Sequence, residues 1–289
     1  ARNVTAALGT GEMQFGGAAT SNIGTLDITA GTLNQDAAIT TSGDVTMALS
    51  NAATLAYDFT SGGATAITVS ADDSGAATFT LAADKTLTST SGAVTITADD
   101  MDIAGTAITA TGQTVTLKSN TASDALDLGS TGTTTANTLE LSEAELDKVA
   151  GSKLILGSSA QGAVTVSADI TPPISTVHVK SGSTVTGTDG GIVATSLAVT
   201  AGGAVNITDT TTNLTTVAVD TSTGAVTLVE ADGFTVGTVD SVTGIDTDSG
   251  AISLTATTGN VSVSNTAADD DIAGTSTVAI SLSGNDATL

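Results

Sequence analysis

Short apolar pairs return at a nearly constant interval along residues 162–226. In one series the first members step by 21, 20 and 21 residues: Val164, Val185, Val205 and Val226. A second, interleaved series has two steps of 20 residues: Val177, Leu197 and Val217. A period near 20 residues is typical of a supersecondary unit that cannot bury its apolar face alone and therefore stacks on its neighbours.

The two apolar residues of each pair lie two positions apart, as in Val164 and Val166. This spacing places both on one face of a β-strand and turns the residue between them to the other face. Gly, Ser, Thr, Asp and Asn, which favour turns, separate the pairs. The pattern predicts an all-β fold, a β-solenoid with about 20–21 residues per coil, whose coils stack as parallel sheets around a narrow aliphatic core.

The repeat indicates a single continuous solenoid over residues 1–289. Residues 1–138 carry looser repeats, whose strand centres fall at 26, 45, 67, 94 and 115. The long step between 67 and 94 predicts extra loop residues near 72–75 or 83–85. Residues 139–153 break the pattern, and 154–289 carry regular repeats. Because neither end shows a capping element, we expect the chain to be a segment of a longer protein or a subunit whose ends meet others.

The break contains a helix signal. Ser142 followed three residues later by Glu145 has the spacing of a capping box, Leu146 and Val149 lie near helical spacing, and Gly151 is suited to end a helix. We predict one to two helical turns over residues 143–149 and a strand after them. A hinge or docking element is one interpretation; a corner where the coil changes shape is the one we favour.

Composition narrows the function classes. Aromatic residues make up 2% of the chain and cysteine is absent, whereas hydrophobic residues reach 40%. A thin, repetitive core needs little aromatic bulk, and 40% is too apolar for a disordered chain. The net charge of −24, from 30 acidic and 6 basic residues, argues against nucleic acid and anionic membranes as partners. No apolar run is long enough for a transmembrane helix.

Several segments resemble the repeats of filamentous-haemagglutinin-like exoproteins, which are large secreted bacterial β-helix adhesins. The resemblance rests on these stretches: 139–149 (LELSEAELDKV), 154–158 (LILGS), 162–167 (GAVTVS), 197–205 (LAVTAGGAV) and 233–239 (GFTVGTV). It covers residues 139–263 best. It implies a right-handed parallel β-helix exposed at the bacterial cell surface, and its motifs are structural rather than catalytic.

Candidate chemistry is sparse. His178, the one histidine, should point away from the core between Val177 and Val179, and no Gly-x-Ser-x-Gly elbow accompanies it. Paired acids recur in the chain: Asp72 with Asp73, Asp99 with Asp100 and Asp102, Asp246 with Asp248, and residues 269–271. Carbohydrate cleavage by two such acids is an alternative, but the basic and aromatic residues that hold a sugar are scarce.

Calcium is a second use of these acids. Asp246 and Asp248 lie two apart before the turn at Gly250, a spacing seen in oxygen-ligand loops, and are weak calcium ligand candidates. Solvated turn aspartates are the simpler interpretation, which we prefer. Outward threonines such as Thr95, Thr165 and the equivalent Thr216 and Thr227 would suit an ice lattice or a polysaccharide, but threonine is also a common strand surface residue.

We therefore expect no enzyme, no catalytic residue and no cofactor. The expected function is an extracellular structural or adhesive β-solenoid, part of a large bacterial surface exoprotein or fibre. One alternative is a self-assembling subunit of a homopolymeric surface filament or layer, whose copies pair end to end. Another is a β-helix enzyme that degrades polysaccharide. The expected partners are copies of the chain itself, a host or neighbouring cell surface, or matrix.

Overall fold

The computed structural model describes residues 1–17, 20–70, 78–130, 135–264, 272–274 and 276–282. The described chain is nearly all β, with one short helix and long parallel sheets, so the predicted β-solenoid class is confirmed. The chain forms two compact units, Ala1–Asp124 with Gly132–Leu154, and Ala125–Thr131 with Ile155–Leu289. A single continuous solenoid over 1–289 stays a prediction.

The first unit contains most of the irregular repeats and the helix Glu143–Leu146. Its strands are Arg2–Ala7, Glu12–Phe15, Thr20–Gln35, Ile39–Thr41, Val45–Leu55, Phe59–Ser61, Thr65–Val69, Thr78–Leu81, Thr86–Ser89, Val94–Thr97, Asp100–Ile103, Ala107–Ala110, Thr114–Lys118, Thr138–Leu141 and Val149–Ala150. The strand Lys153–Gly157 contains the boundary between the two units.

The second unit contains the regular repeats. Its strands are Ala125–Leu128, Val164–Val166, Thr176–Ser181, Val185–Gly187, Val193–Ala201, Val205–Ile207, Asn213–Thr221, Val226–Glu230, Phe234–Val236, Thr238–Val239, Val242–Thr243, Ile245–Thr247, Ile252–Ala256, Val261–Val263, Ile272–Gly274 and Val278–Leu282.

The valine series forms a ladder in the second unit. Each member is the direct parallel partner of the next, and the ladder runs through Leu126, Val164, Val185, Val205, Val226, Ile252 and Val278. The members before Val278 are almost completely buried. The second series pairs in the same way through Val177, Leu197 and Val217. Both predicted ladders are confirmed.

One predicted strand centre of the first unit, Ile67, is not in register with the other four. The ladder there runs through Leu26, Val45, Thr65, Val94 and Val115, and Ile67 is fully buried in the next core row, between Met47 and Ile96. The Thr65 hydroxyl is tolerated because Ser61 Oγ lies 2.6 Å from its Oγ1. Of the two predicted insertions, the one at 83–85 is a turn with Asp84 at a φ of 62°, and that at 72–75 lies outside the described residues.

The helix is shorter than predicted. It spans Glu143–Leu146, and its capping box is present: Glu145 Oε2 accepts from Ser142 N at 2.9 Å. Val149 leaves the helix because it pairs with Ile108 in the sheet. Glu145 Oε1 also accepts from Ile103 N, and Lys148 Nζ donates to Ile103 O at 2.6 Å. These bonds fasten the helix to its own unit, as expected of a corner.

Candidate functional site

The sheet partner that follows Asn213–Thr221 in the second unit is divided into two short strands. Asn213–Thr221 pairs first with Phe234–Val236, placing Val217 opposite Val236, and then with Ile245–Thr247, placing Val219 opposite Ile245. A continuous partner strand would need one residue between Val236 and Ile245, and the chain has eight. Residues 237–244 therefore leave the sheet and return at the same place.

These eight residues form a small hairpin, which we call the outer hairpin. Its antiparallel strands are Thr238–Val239 and Val242–Thr243. Asp240 and Ser241 form the turn with φ angles of 46° and 67°, and two successive positive values are typical of the type I′ turn that fits a two-residue hairpin. At its base, Gly244 N donates to Gly237 O at 3.0 Å.

The outer hairpin packs on the outward face of its own solenoid. Val239 and Val242 form a buried cluster with Ala198 and Ala218. These alanines stand in register with each other, and their small side chains leave space for the two valines. The cluster is a second apolar layer, outside the aliphatic core.

His178 lies next to this layer and is 3% exposed. Its strand neighbours Val177 and Val179 are in the core, so the histidine points away from the core as predicted. It is nevertheless not at the surface: its Nδ1 lies 2.6 Å from Asp240 Oδ2 and its Nε2 lies 2.9 Å from Thr200 Oγ1. These contacts are not evident from the repeat pattern, because Asp240 is 62 residues from His178 in the sequence. Residues 237–244 (GTVDSVTG) do carry a hairpin signal. Two pairs of Thr and Val flank the turn dipeptide Asp-Ser, and a glycine stands at each end.

Deleting residues 238–244 should leave the solenoid folded. Gly237 would then lie opposite Ala218 and restore the alternation of a continuous strand. Loss of the burial of Val239 and Val242 should lower the free energy of unfolding by about 2–4 kcal/mol. His178, the single histidine, should become accessible, and its acylation by diethylpyrocarbonate should accelerate at least to half the rate of the chemically unfolded chain.

The insertion Ser241→Ser-Gly-Gly is the matched control, because it lengthens the turn and keeps the valines. It should leave His178 protected. Equal acylation rates for the deletion variant and the parent chain would contradict the assignment of the hairpin as the cover of His178.

The calcium candidates Asp246 and Asp248 are both exposed. Asp246 is in register with Asp220, an acid that the sequence analysis had not grouped with them. Burial, and then the charges of Asp246 and Asp248, raise the pKa of Asp220 above its ordinary value. Among the described residues, no group of three or more His, Cys, Asp or Glu side chains is arranged to hold a metal ion. Calcium binding at Asp246 and Asp248 stays a prediction.

Replacing Asp220 with asparagine should stabilise the protein at neutral pH. A carboxyl whose pKa is raised by folding contributes stability below its ordinary pKa, and that contribution is lost as pH rises through the raised value. The gain from Asp220→Asn should therefore be present at pH 7 and vanish below the ordinary pKa. Because Asp220 is exposed, we expect less than about 1 kcal/mol, measured by urea unfolding at several pH values.

Asp27→Asn is the control, since Asp27 is an exposed strand aspartate whose partners are Thr5 and Thr46. It should change the free energy of unfolding by less than about 0.5 kcal/mol at pH 7. A destabilised Asp220→Asn variant at pH 7 would show that repulsion in this cluster is outweighed by contacts of the carboxylate.

Several turn acids are bonded to the backbone of the next coil rather than only solvated. Asp44 Oδ1 accepts from Ala64 N at 2.8 Å, and Asp99 Oδ1 accepts from Asn120 N and Thr121 N, each at 2.7 Å. The pairs Asp72–Asp73 and residues 269–271 lie outside the described residues. The aspartates at turns therefore serve in part as links between successive coils.

Asp169 shows the electrostatic result of such a link. Its Oδ1 accepts from Gly191 N at 2.9 Å and from Thr211 Oγ1 at 2.6 Å. Both bonds lower the pKa of Asp169 below its ordinary value, and the bond from Gly191 N has the larger effect. The link thus contributes stability above the ordinary pKa that is lost as pH falls through the lowered value.

Glu230 is a buried acid at a turn of the second unit, with no exposed surface. Its Oε1 accepts from Leu214 N at 3.1 Å, and its Oε2 accepts from Asp232 N at 2.9 Å and from Gly233 N. Burial raises the pKa of Glu230, and the three N–H donors partly offset this effect. The carboxylate ties the turn at 230–233 to the preceding coil.

Two open clefts of about 330 and 350 Å³ share Asn213 and Thr215, and the first of them adjoins this turn. The first is lined by Asp232, Gly233, Phe234, Thr235, Asn260 and Ser262 besides Leu214, and the second includes Pro172, Pro173 and Ile174. The first lining is mainly polar, whereas the second is about half apolar. Neither contains His178 or the calcium candidates.

Outward hydroxyl rows are present on successive coils. Thr165 pairs with Thr186 and Thr95 with Thr116, whereas Thr216 pairs with Ser196 and Thr235. The rows are interrupted, since Thr95 also faces Ala66 and Thr227 faces Asn206 and Ser253. The predicted rows exist, and no contact of theirs favours a ligand over ordinary strand surface.

Comparison with protein-family models, with curated proteins and with solved structures finds no match to this chain. In the described part of the chain, no helix has the length and apolarity to span a membrane.

Proposed function

We propose that this chain is an extracellular structural or adhesive β-solenoid, part of a large bacterial surface exoprotein or fibre. The observation that carries the proposal is the uninterrupted aliphatic ladder from Leu126 to Ile252, in which each coil is held by direct parallel pairing with the next. A stack of this kind resists bending, because each coil is hydrogen-bonded along its length to the next.

Two further features support it. The chain carries 30 acidic residues against 6 basic ones, which keeps a β-rich surface soluble and discourages lateral association. The resemblance of residues 139–263 to haemagglutinin-like repeats favours the outer surface of a bacterium.

Immunogold electron microscopy tests the location. Antibodies raised against the purified chain should label unpermeabilised cells of the producing bacterium. Labelling that appears only after permeabilisation would contradict an extracellular role. An adhesive role predicts further that the purified chain, coated on beads, retains cells or matrix that beads coated with the same chain in unfolded form do not.

Self-assembly is the second candidate function. Arg2–Ala7 and Glu12–Phe15 each pair with Thr20–Gln35 and, among the described residues, with no second strand. Their other edges offer backbone N–H and C=O groups to an added strand. Preceding residues of a longer protein or a second copy would satisfy them equally well.

Sedimentation and negative-stain microscopy of the purified chain separate these possibilities. The Leu8 N–H donates to Thr29 O, so by alternation the Thr5 N–H points to the open edge. Self-assembly through this edge predicts filaments that disappear in Thr5→Pro, because proline removes that N–H donor. Thr10→Pro, in the turn that follows Arg2–Ala7, is the control and should still assemble. A monomer at all concentrations would reject this candidate.

A further inference from the structure

Three side chains from distant parts of the sequence converge beside the outer hairpin. The Nε2 atom of His178 is 2.9 Å from Thr200 Oγ1, and its Nδ1 atom is 2.6 Å from Asp240 Oδ2. A hydroxyl, an imidazole and a carboxylate joined in this order are the arrangement of a nucleophile, its general base and the acid that orients the base. We propose that Thr200 is an activated nucleophile and that this site transfers acyl groups from small carboxylic esters to water.

The fold fixes the imidazole in the required orientation. His178 is packed between its strand and the outer hairpin, and Asp240 stands at the turn, where its φ of 46° directs the chain back towards the solenoid. A carboxylate acceptor at Nδ1 places the proton of a neutral imidazole on that nitrogen. In that tautomer Nε2 is an acceptor and faces Thr200 Oγ1, which is what a general base requires.

Thr200 is partly exposed and has a lysine as its neighbour on the same face of the sheet. Thr200 is half-buried, while His178 is covered and the Asp240 side chain is 15% exposed. Thr200 lies between Lys180 and Asp220 in the outward row of the sheet, each one strand away at about 4.8 Å. In the proposed reaction the ammonium group of Lys180, the neighbour of Thr200 on the same face of the sheet, stabilises the developing oxyanion. The neighbouring Asp220 favours a neutral or cationic ester over an anionic one.

The reaction balances without a further reagent. Thr200 Oγ1 attacks the carbonyl carbon, its proton passes to His178 Nε2, and the carbonyl electron pair moves to the oxygen. When the tetrahedral intermediate collapses, the bond from carbon to the alcohol oxygen breaks and that oxygen takes the proton from Nε2. Water then attacks the acyl-threonine by the same route, which releases the acid and restores Thr200.

A fluorophosphonate probe and 4-nitrophenyl acetate test the proposal on the intact chain. Mass spectrometry should place the phosphonyl label on Thr200. Thr200→Val, which removes the hydroxyl and keeps the shape, should abolish labelling and ester cleavage, whereas Thr200→Ser should retain both. Thr186→Val changes a half-buried threonine of the neighbouring sheet and should behave as the parent chain. Circular dichroism establishes that each variant is folded.

Asp240 acts as a positioning residue, and its variant separates chemistry from simple anchoring. Asp240→Asn should lower kcat for ester cleavage by about a hundredfold, the lower end of what general acid–base catalysis contributes, without a matching change in KM. If Asp240→Asn lowers the melting temperature but leaves labelling unchanged, the three residues only hold the hairpin in place and the proposal fails. Labelling at another residue, or none, also overturns it.

Discussion

Replacing Val205 with aspartate is expected to abolish folding of the unit formed by Ala125–Thr131 with Ile155–Leu289. Val205 is 1% exposed and lies between Val185 and Val226 in the aliphatic ladder. A buried carboxylate without a partner costs several kcal/mol, a large share of the roughly 5–15 kcal/mol that separates a folded domain from its unfolded state. Circular dichroism and urea unfolding measure the loss.

Asn206→Asp is the matched control, because it adds the same charge one residue further along on the outward face. It should change the free energy of unfolding by less than about 1 kcal/mol. Val205→Ala, which should still fold, is expected to lose about 2 kcal/mol through two missing methyl groups and the space they leave. Similar behaviour of the two aspartate variants would mean that the strand does not alternate as described.

Replacing Glu230 with alanine is expected to cost about 3 kcal/mol of unfolding free energy. The carboxylate accepts hydrogen bonds from three backbone N–H groups. One of these donors belongs to Leu214, which is almost completely buried. A buried donor left without an acceptor costs about 1–3 kcal/mol, and the small alanine adds a cavity. Thermal unfolding should show the change as a lower melting temperature of the second unit.

Asp232→Ala serves as its control. Asp232 is exposed, and its Oδ2 accepts one long bond of 3.4 Å from Asn213 Nδ2, so the expected change is within about 0.5 kcal/mol. Glu230→Gln should fall between the two, because it keeps one oxygen acceptor and turns the other into a donor. A Glu230→Ala variant as stable as the parent would show that water replaces the lost acceptor.

The ladders were predictable because their cause is local and repeated. A strand side chain has only two faces, and a slip of one residue in register would expose a whole row of valines. The one register error, at Thr65, lies within a strand that was found correctly. Ile67 is buried as its apolar character suggests, but Thr65 is the residue in register with Val45 and Val94, and the sequence does not show that Ser61 shares a hydrogen bond with it.

The site around His178 was only half predictable. The alternation of strand side chains correctly predicts that His178 points away from the core. His178 is nevertheless buried, because the outer hairpin, whose Asp240 lies 62 residues further along the chain, covers it. The stretch 233–239 was interpreted as one more repeat strand. In the structure the repeat strand ends at Val236, and Thr238–Val239 already belongs to the hairpin.

The helix shows how neighbouring strands override local propensity. Ser142 and Glu145 specify where it begins: the Glu145 carboxylate accepts from the Ser142 N–H, as predicted for a capping box, and also from the Ser142 hydroxyl. Its end was predicted from the helical spacing of Val149, yet the pairing of Val149 with Ile108 takes that residue into the sheet. A cap is encoded within four residues, whereas a sheet partner 41 positions earlier is not.

The division between Phe234–Val236 and Ile245–Thr247 provides a place on the outward face of the second unit where a peptide can be inserted. Since Val236 and Ile245 keep their partners on Asn213–Thr221 however many residues separate them, a peptide grafted there would leave and re-enter through one opening without disturbing the coils. The following coil is divided at the same level, between Val263 and Ile272. New surface chemistry can thus be gained by lengthening a loop at these openings, while the coils that carry it remain unchanged.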